Sequence, residues 1–352
     1  MNNAVIAILL SALSYSVYPL LNAFGLMAAS PITMSLVNHF MTMLVSFIML
    51  AVLLKGWRPC FGALSAFMRL PNNCKVTAFF SAISVYMGGV FFLYALTLMS
   101  KAGATVIMEM WPILAIFISA VLIHKKWAAL RVIDMVLMAV CVLGIFMITA
   151  AERQLTILEF LQNPFFMFED MKFEEYIGVL LAVLAAYCFA FSGVSRAQFL
   201  QILPFEFKQD FFKSNALACL NQNVYIYLVT YIISAPLAIL LVLVLDINFT
   251  FSFAALPAAI GVGIVLTLAS VLYSLALVNA VSPSINILWY VAPVMAALWL
   301  AFAGFTQITP LLVLGAVLII AANIILIMLP QNESDQKEIM VDEDDRITPE
   351  PE

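Results

Sequence analysis

Apolar residues run along most of the chain in long stretches, and short polar stretches separate them. An α-helix rises about 1.5 Å per residue, so about 20 apolar residues cross the roughly 30 Å hydrocarbon core of a bilayer. Ten segments reach this length: residues 4–27, 32–54, 76–98, 103–123, 128–150, 176–196, 217–244, 254–278, 284–303 and 309–329. Backbone groups in lipid must bond within their own segment, and no alternating strand pattern appears. We therefore predict an all-α polytopic membrane protein with ten transmembrane helices.

Composition agrees with this prediction. Hydrophobic residues make up 65% of the chain and charged residues 10%, against about 45–50% and about 25% in soluble domains. The cysteines are scattered, without a CxxC pair or partnering histidines; they are Cys60, Cys74, Cys141, Cys188 and Cys219. This spacing favours neither a zinc site nor a disulfide framework. We expect no metal and no cofactor.

Lysine and arginine in the connections predict the orientation, because cytoplasmic connections are enriched in both. The second, fourth and sixth connections contain ten of these residues: Lys55, Arg58, Arg69, Lys75, Lys125, Lys126, Arg131, Arg196, Lys208 and Lys213. The odd-numbered connections contain three, which are Lys101, Arg153 and Lys172. We predict that both termini are cytoplasmic and that the protein lies in the cell (inner) membrane.

The connection over residues 151–175 is long and mixes acidic residues with phenylalanines. We expect it to lie on the outer membrane interface. It separates a first five-helix unit, residues 1–150, from a second, residues 176–329. The tail, residues 330–352, carries nine acids and two bases, and its composition predicts a disordered cytoplasmic segment.

The two halves contain similar sequences. FFLYALTLMSKAGATVIMEMWPILAIFISAVL (91–122) aligns with SVLYSLALVNAVSPSINILWYVAPVMAALWLAF (270–302), which pairs Tyr94 with Tyr273 and Pro112 with Pro293. An odd number of spans in each half places the second copy upside down. The sequence thus predicts two inverted five-helix repeats.

On these residues the chain resembles the EamA-type branch of the drug/metabolite transporter superfamily. Within that branch, MWPILAIFISAVL and the AAYC of residues 185–188 are similar to bacterial aromatic amino acid exporters. The resemblance implies a secondary transporter that exports amino acids or similar small metabolites by alternating access. Its expected partners are a small-molecule substrate, the lipid bilayer and, as a further candidate, protons.

The fourth predicted span contains an acidic residue, Glu109. A carboxylate near the bilayer centre costs about 2.5–3.5 kcal/mol on insertion scales, so it needs a cavity, a partner or a proton. His39, Tyr18 and Asn22 reach a similar depth in the first two spans. We expect these residues to line a substrate cavity. Proton coupling and simple packing of a protonated Glu109 are the alternatives.

Proline and aromatic residues follow Glu109 and its counterpart in the second half. Pro112 and Pro293 each remove an intrahelical hydrogen bond, so we expect kinks that serve gating. Trp111, Trp289 and Tyr290 could stack on a planar substrate, or belong to the packed interior. Tyr94, near the end of the third span, completes the predicted substrate-binding set.

Other functional classes find less support in the sequence. It has no GxxxxGK[ST] motif, so ATP is not expected to drive transport directly. It has no HExxH or GxSxG motif, and we predict that it is not an enzyme. A channel or a receptor-like scaffold remains the main alternative, with an intramembrane enzyme behind it. We expect no nucleic-acid partner. The oligomeric state is left open, with a monomer as one alternative.

Overall fold

The computed structural model describes residues 3–108, 110–123, 132–152, 154–163, 172–204, 214–245, 250–280, 282–305 and 307–329. Its α-helices in chain order are α1 (Asn3–Tyr15), α2 (Tyr18–Gly25), α3 (Pro31–Leu53), α4 (Trp57–Phe67), α5 (Asn72–Leu98), α6 (Lys101–Met108), α7 (Trp111–Leu122), α8 (Val132–Glu152), α9 (Ile157–Gln162), α10 (Phe173–Ile202), α11 (Asn215–Leu245), α12 (Leu256–Val278), α13 (Val291–Phe302) and α14 (Pro310–Met328). Two 3₁₀ helices, Phe253–Ala255 and Pro283–Tyr290, precede α12 and α13.

Each predicted apolar segment is helical in the part that the structure describes. Among the described residues, six helices are long and apolar enough to cross a membrane: Asn3–Gly25, Pro31–Leu53, Asn72–Leu98, Phe173–Ile202, Phe253–Val278 and Ser284–Phe302. Shorter apolar helices cover Trp111–Leu122, Val132–Ile148 and Pro310–Ile325. The chain is an all-α polytopic membrane protein, as the hydrophobic pattern predicts.

One boundary in the prediction is wrong. The sixth span was expected to end at residue 196, which placed Arg196 in a cytoplasmic connection. Helix α10 instead continues to Ile202, and Arg196 is buried inside it. The residues after Arg196 include buried Ala197, Phe199 and Leu200, and burying these apolar side chains extends the helix past the charge.

Three of the spans are interrupted. The first is divided into α1 and α2, the fourth into α6 and α7, and the ninth passes from a 3₁₀ helix into α13. Prolines 19, 112 and 293 stand in the first turn of the helix that follows each interruption. Proline fits there because the first N–H groups of a helix have no intrahelical partner.

The helices of the two halves pack against each other in matched pairs. Helix α5 packs on α10 and α1 packs on α12, whereas α3 packs on α11 and α8 packs on α14. When each span is exchanged with the span five positions away in the chain, the α5–α10 contact becomes the α1–α12 contact. The α3–α11 and α8–α14 contacts stay the same under this exchange. This symmetry is what two repeats of five spans require, and their boundaries stay a prediction.

Hydroxyl groups join the two halves inside the bundle. The bonds are Ser11 Oγ to the Ala269 carbonyl at 2.5 Å, Ser81 Oγ with Ser192 Oγ at 2.9 Å, Thr230 Oγ1 to the Ala82 carbonyl at 3.0 Å and Ser46 Oγ with Thr267 Oγ1 at 2.9 Å. Interhelical hydrogen bonds of this kind contribute about 0.6 kcal/mol each on average in membrane proteins. Small polar residues therefore connect helices that are otherwise apolar.

A short backbone contact also joins the halves at one end of the bundle. Ala29 and Phe251 form an isolated antiparallel bridge. The Ser30 N–H donates to the Thr250 carbonyl at 2.9 Å, and the Ser252 N–H donates to the Ala28 carbonyl at 2.8 Å. We call residues 28–30 and 250–252 the backbone clasp. It fixes the turn between α2 and α3 to the chain just before α12.

Candidate functional site

A cavity lies between the two halves of the bundle. Side chains from α1, α5 and α7 of the first half line it, together with side chains from α10, α11, α12 and the 3₁₀ helix Pro283–Tyr290 of the second half. The space open to water centres is about 60 Å³, several times what one water molecule needs. The cavity is therefore large enough to be hydrated, and most of its wall is apolar.

Four aromatic side chains, Tyr15, Trp111, Tyr273 and Trp289, form one wall, which we call the aromatic cluster. The Trp111 and Trp289 ring centroids are 4.7 Å apart, and Tyr273 lies 5.0 Å from Trp111 and 5.2 Å from Trp289, all edge to face. Tyr15 lies 5.4 Å from Trp289. Edge-to-face contacts are favourable for aromatic rings and leave ring faces for a planar ligand.

Local structure sets the position of each ring. Tyr15 is the last residue of α1, Trp111 is the first of α7, and Trp289 lies in the 3₁₀ helix before α13. The interruptions of three spans thus meet at the cavity wall. The Tyr273 hydroxyl donates to Asn286 Oδ1 at 2.6 Å, which holds its ring. On α10, a Cβ at Gly193 would lie 2.8 Å from Tyr273 Cε1, so the glycine makes room for this ring.

Arg196 also lines the cavity. Arg196 is 3% exposed, and its Nη1 donates to Asn223 Oδ1. Its guanidinium carbon lies 5.3 Å from the centre of the Tyr227 ring, a cation–π contact. Asn223 Nδ2 in turn donates to Ser270 Oγ at 2.7 Å. Residues of α11 and α12 therefore orient the charge toward the cavity.

The structure places the predicted aromatic residues in different positions. Trp111 and Trp289 line the cavity, and Tyr18 packs behind them, with its ring 5.1 Å from Tyr15. Tyr290 is completely buried and does not line this cavity, and Tyr94 lies half-buried on α5 away from it. A substrate-binding role for these residues stays a prediction.

Asn22 and His39 lie close to the cavity but outside its lining. Asn22 Nδ2 donates to the Tyr18 carbonyl at 3.1 Å, and Asn22 Oδ1 accepts from Asn38 Nδ2 at 2.8 Å. His39 Nδ1 lies 3.4 Å from Ser35 Oγ, and its ring centroid lies 5.8 Å from that of Tyr227. His39 is therefore separated from the cavity by one ring.

Three further predicted residues concern the helix interruptions. Glu109 lies outside the residues that the structure describes. Pro112 and Pro293 are buried near the beginnings of α7 and α13. Gating by these prolines stays a prediction.

Sequence reasoning missed Arg196 and Tyr227 as residues of this site. The available signal was the apolar helical pattern after Arg196, where FLQI follows at residues 199–202. A charge inside an apolar helix that continues past it is a candidate functional residue.

Comparisons with known proteins agree with this architecture. Residues 2–150 match the model of the EamA-like transporter family. A solved structure described as a crystal structure of a protein superposes with a TM-score of 0.63, at 18% sequence identity, over 92% of this chain and 96% of its own. At this identity the likeness shows the fold alone. A comparison with curated protein sequences finds no match. Residues 2–150 of this chain are therefore similar to the EamA-like transporter family.

Proposed function

We propose that the protein is a secondary transporter that carries a small organic solute through the cavity between its halves by alternating access. Amino acids or similar metabolites are the expected substrates, and export is the expected direction. The match of residues 2–150 to a transporter family supports transport as the activity. The resemblance of MWPILAIFISAVL to aromatic amino acid exporters supports the substrate class.

One observation carries this proposal: three interrupted spans meet at a cavity that both halves line. In many secondary transporters the substrate site lies near the bilayer midplane between repeats and is formed by discontinuous helices. Rocking of one half against the other then exposes the same site to either side in turn. The matched packing of α5 on α10 and α1 on α12 provides two similar interfaces for such a motion.

The cavity wall suits a solute with an apolar, planar part. Ligand sites typically combine apolar and aromatic walls with a few polar groups that fix orientation. The aromatic cluster provides such walls, and Arg196 and Ser270 provide polar groups. Since the sequence lacks a P-loop motif, we expect a solute or ion gradient to drive transport, with protons as the first candidate.

We also propose that the protein lies in the cell (inner) membrane with both termini in the cytoplasm. Removing Arg196 from the sixth connection leaves nine lysines and arginines in the even-numbered connections against three in the odd-numbered ones. The remaining bias has the same sign, so it supports the same orientation.

The test is counterflow in proteoliposomes that contain the purified full-length chain. We expect saturable counterflow of at least one amino acid. Trp289→Phe, in the cavity wall, should raise KM several-fold, because a smaller ring loses contacts with the substrate. Trp57→Phe is the matched control, since Trp57 is 56% exposed on α4. Absence of saturable flux across the amino acids would favour the channel or scaffold instead.

A further inference from the structure

Arg196 is a buried cation without an anionic partner in the part of the chain that the structure describes. Its contacts are the hydrogen bond to Asn223 and the face of the Tyr227 ring, both of which are neutral. An isolated buried charge is costly, and a buried ion pair loses much of that cost when its partner is present. The contacts of Arg196 therefore position the charge without neutralising it.

The side chain of Asn223 has a defined orientation because both ends of its amide are used. Its oxygen accepts from Arg196, and its nitrogen donates to Ser270 Oγ, which donates to the Thr267 carbonyl at 3.1 Å. This chain of bonds runs from α12 through α11 to α10. It holds the guanidinium group at the cavity wall, as a preorganised binding site requires.

A second donor without a partner belongs to a residue that lines the same cavity. Trp111 is 4% exposed, and its Nε1–H finds no hydrogen-bond acceptor among the described residues. Tryptophan and arginine side chains donate hydrogen bonds and accept none. Leaving a buried N–H without an acceptor is unfavourable, so a ligand that supplies an acceptor here would be favoured. The Arg196 guanidinium group and the Trp111 Nε1–H would therefore both be satisfied by a ligand with several acceptor oxygens.

We infer that the site binds a monoanionic organic carboxylate whose planar, apolar part packs against the aromatic cluster. The carboxylate pairs with the guanidinium group of Arg196 through two parallel N–H···O bonds, the geometry that arginine offers to planar anions. Its single negative charge matches the single buried positive charge of the described cavity wall. A phosphate monoester would leave excess negative charge in the bundle. This inference deepens the proposed transport function and rests on it for its physiological meaning.

The test compares two ligands that differ in charge and share one ring system. Indole-3-acetate carries the carboxylate, and indole-3-acetamide replaces it with a neutral amide. We expect indole-3-acetate to raise the Tm of the purified full-length protein and to bind at least about tenfold more tightly than the amide, because hydrogen bonds to a charged group are stronger than those to a neutral one. Phenyl phosphate is the third ligand, and it should bind more weakly than indole-3-acetate.

Two variants connect the preference to the named residues. Arg196→Gln removes the charge and should reduce the preference for indole-3-acetate to about twofold or less, whereas Arg69→Gln, at an exposed position, should leave it unchanged. Trp111→Phe removes one N–H and keeps a ring, so the preference should fall several-fold. Trp299→Phe is its control, because the Trp299 Nε1–H donates to Ser16 Oγ at 3.1 Å outside the cavity.

The outcomes separate this inference from the transport proposal. Three results would each overturn the inference. They are equal binding of indole-3-acetate and indole-3-acetamide by the parent, a preference for phenyl phosphate, and an unchanged preference in folded Arg196→Gln and Trp111→Phe. Amino acid counterflow that is insensitive to Arg196→Gln would leave transport standing and remove the carboxylate site. Binding that depends on Arg196 without any counterflow would keep the site and remove transport.

Discussion

Gly144 on α8 and Gly315 on α14 meet backbone to backbone. A Cβ at Gly144 would lie 2.7 Å from the Gly315 carbonyl oxygen, and a Cβ at Gly315 would lie 2.5 Å from the Gly144 carbonyl oxygen. Real Cβ atoms do not approach a carbonyl so closely, and neither backbone can yield alone. Close approach at small residues is a common way for helices to pack in membranes, where lipid is as apolar as the side chains.

We expect Gly144→Ala and Gly315→Ala each to lower the free energy of unfolding by about 1–3 kcal/mol, the usual cost of overpacking. Thermal unfolding of the purified protein in detergent measures this as a lower Tm. Gly62→Ala on α4 is the control, because a Cβ there meets no atom within 4 Å. It should be neutral or stabilise the helix by up to about 1 kcal/mol. An unchanged Tm in both α8 and α14 variants would contradict the close packing.

Glu109→Gln tests the acidic residue of the fourth predicted span. We expect the variant to fold like the parent and to change counterflow or its pH dependence, since the amide cannot carry or release a proton. Counterflow rates between pH 5 and pH 8 provide the measurement. Glu174→Gln, at an exposed position in the first turn of α10, serves as the control. A parental pH profile in Glu109→Gln would assign Glu109 to packing.

Single cysteines test the predicted orientation. Arg69→Cys lies in the second connection, and Leu158→Cys lies on α9 in the fifth, where Leu158 is 65% exposed. We expect a membrane-impermeant maleimide to label Leu158→Cys in intact cells and Arg69→Cys after permeabilisation. The native cysteines are buried or half-buried, so the unmodified protein should give a low background. The reverse labelling pattern would invert the orientation.

Thr156 and Glu159 cap α9 through reciprocal hydrogen bonds. The Thr156 backbone N–H and hydroxyl donate to Glu159 Oε2 at 2.8 and 2.9 Å, and the Glu159 N–H donates to Thr156 Oγ1 at 3.3 Å. The bonds to the carboxylate, first the one from the backbone, lower the pKa of Glu159. Because the folded pKa lies below the unfolded one, the stabilisation is complete above the unfolded pKa and is lost as the pH falls through the folded pKa.

Thr156→Ala should therefore raise the pKa of Glu159 toward its ordinary value and speed hydrogen exchange of the α9 amides at neutral pH. Exchange measured by mass spectrometry on peptides that contain Ile157–Gln162 checks this expectation. Ser65→Ala is the comparison, since Ser65 bonds the Gly62 carbonyl on the other short helix, α4. Exchange as slow as in the parent would show that the cap contributes nothing.

The hydrophobic pattern predicts the spans well because the bilayer imposes one length and one backbone solution on each. It does not predict how each helix is rotated about its axis. Arg196 and Tyr227 show why: their helices are apolar on all sides, so the sequence carries little signal for which face meets the cavity. Charged residues are rare inside membrane spans, so the sequence alone places Arg196 in a connection. A buried functional charge is the exception to this rule.

The sequence predicts the helix interruptions only in part. Pro112 and Pro293 predict departures from regular helix, and regular α-helix begins again at Trp111 and Val291. The break after Tyr15 was not predicted, although Pro19 lies in the first turn of the next helix. The meeting of all three interruptions at one cavity depends on tertiary packing, which no local pattern reports.

The backbone clasp determines which parts of the bundle are free to open. Its two hydrogen bonds tether the α2–α3 turn to the entrance of α12, and the Ser46–Thr267 bond repeats the attachment deeper along α3. These contacts tie the first half to the second at the clasped end, which would therefore act as the pivot when one half rocks against the other. Widening of the pathway is then expected at the end of the bundle away from the clasp.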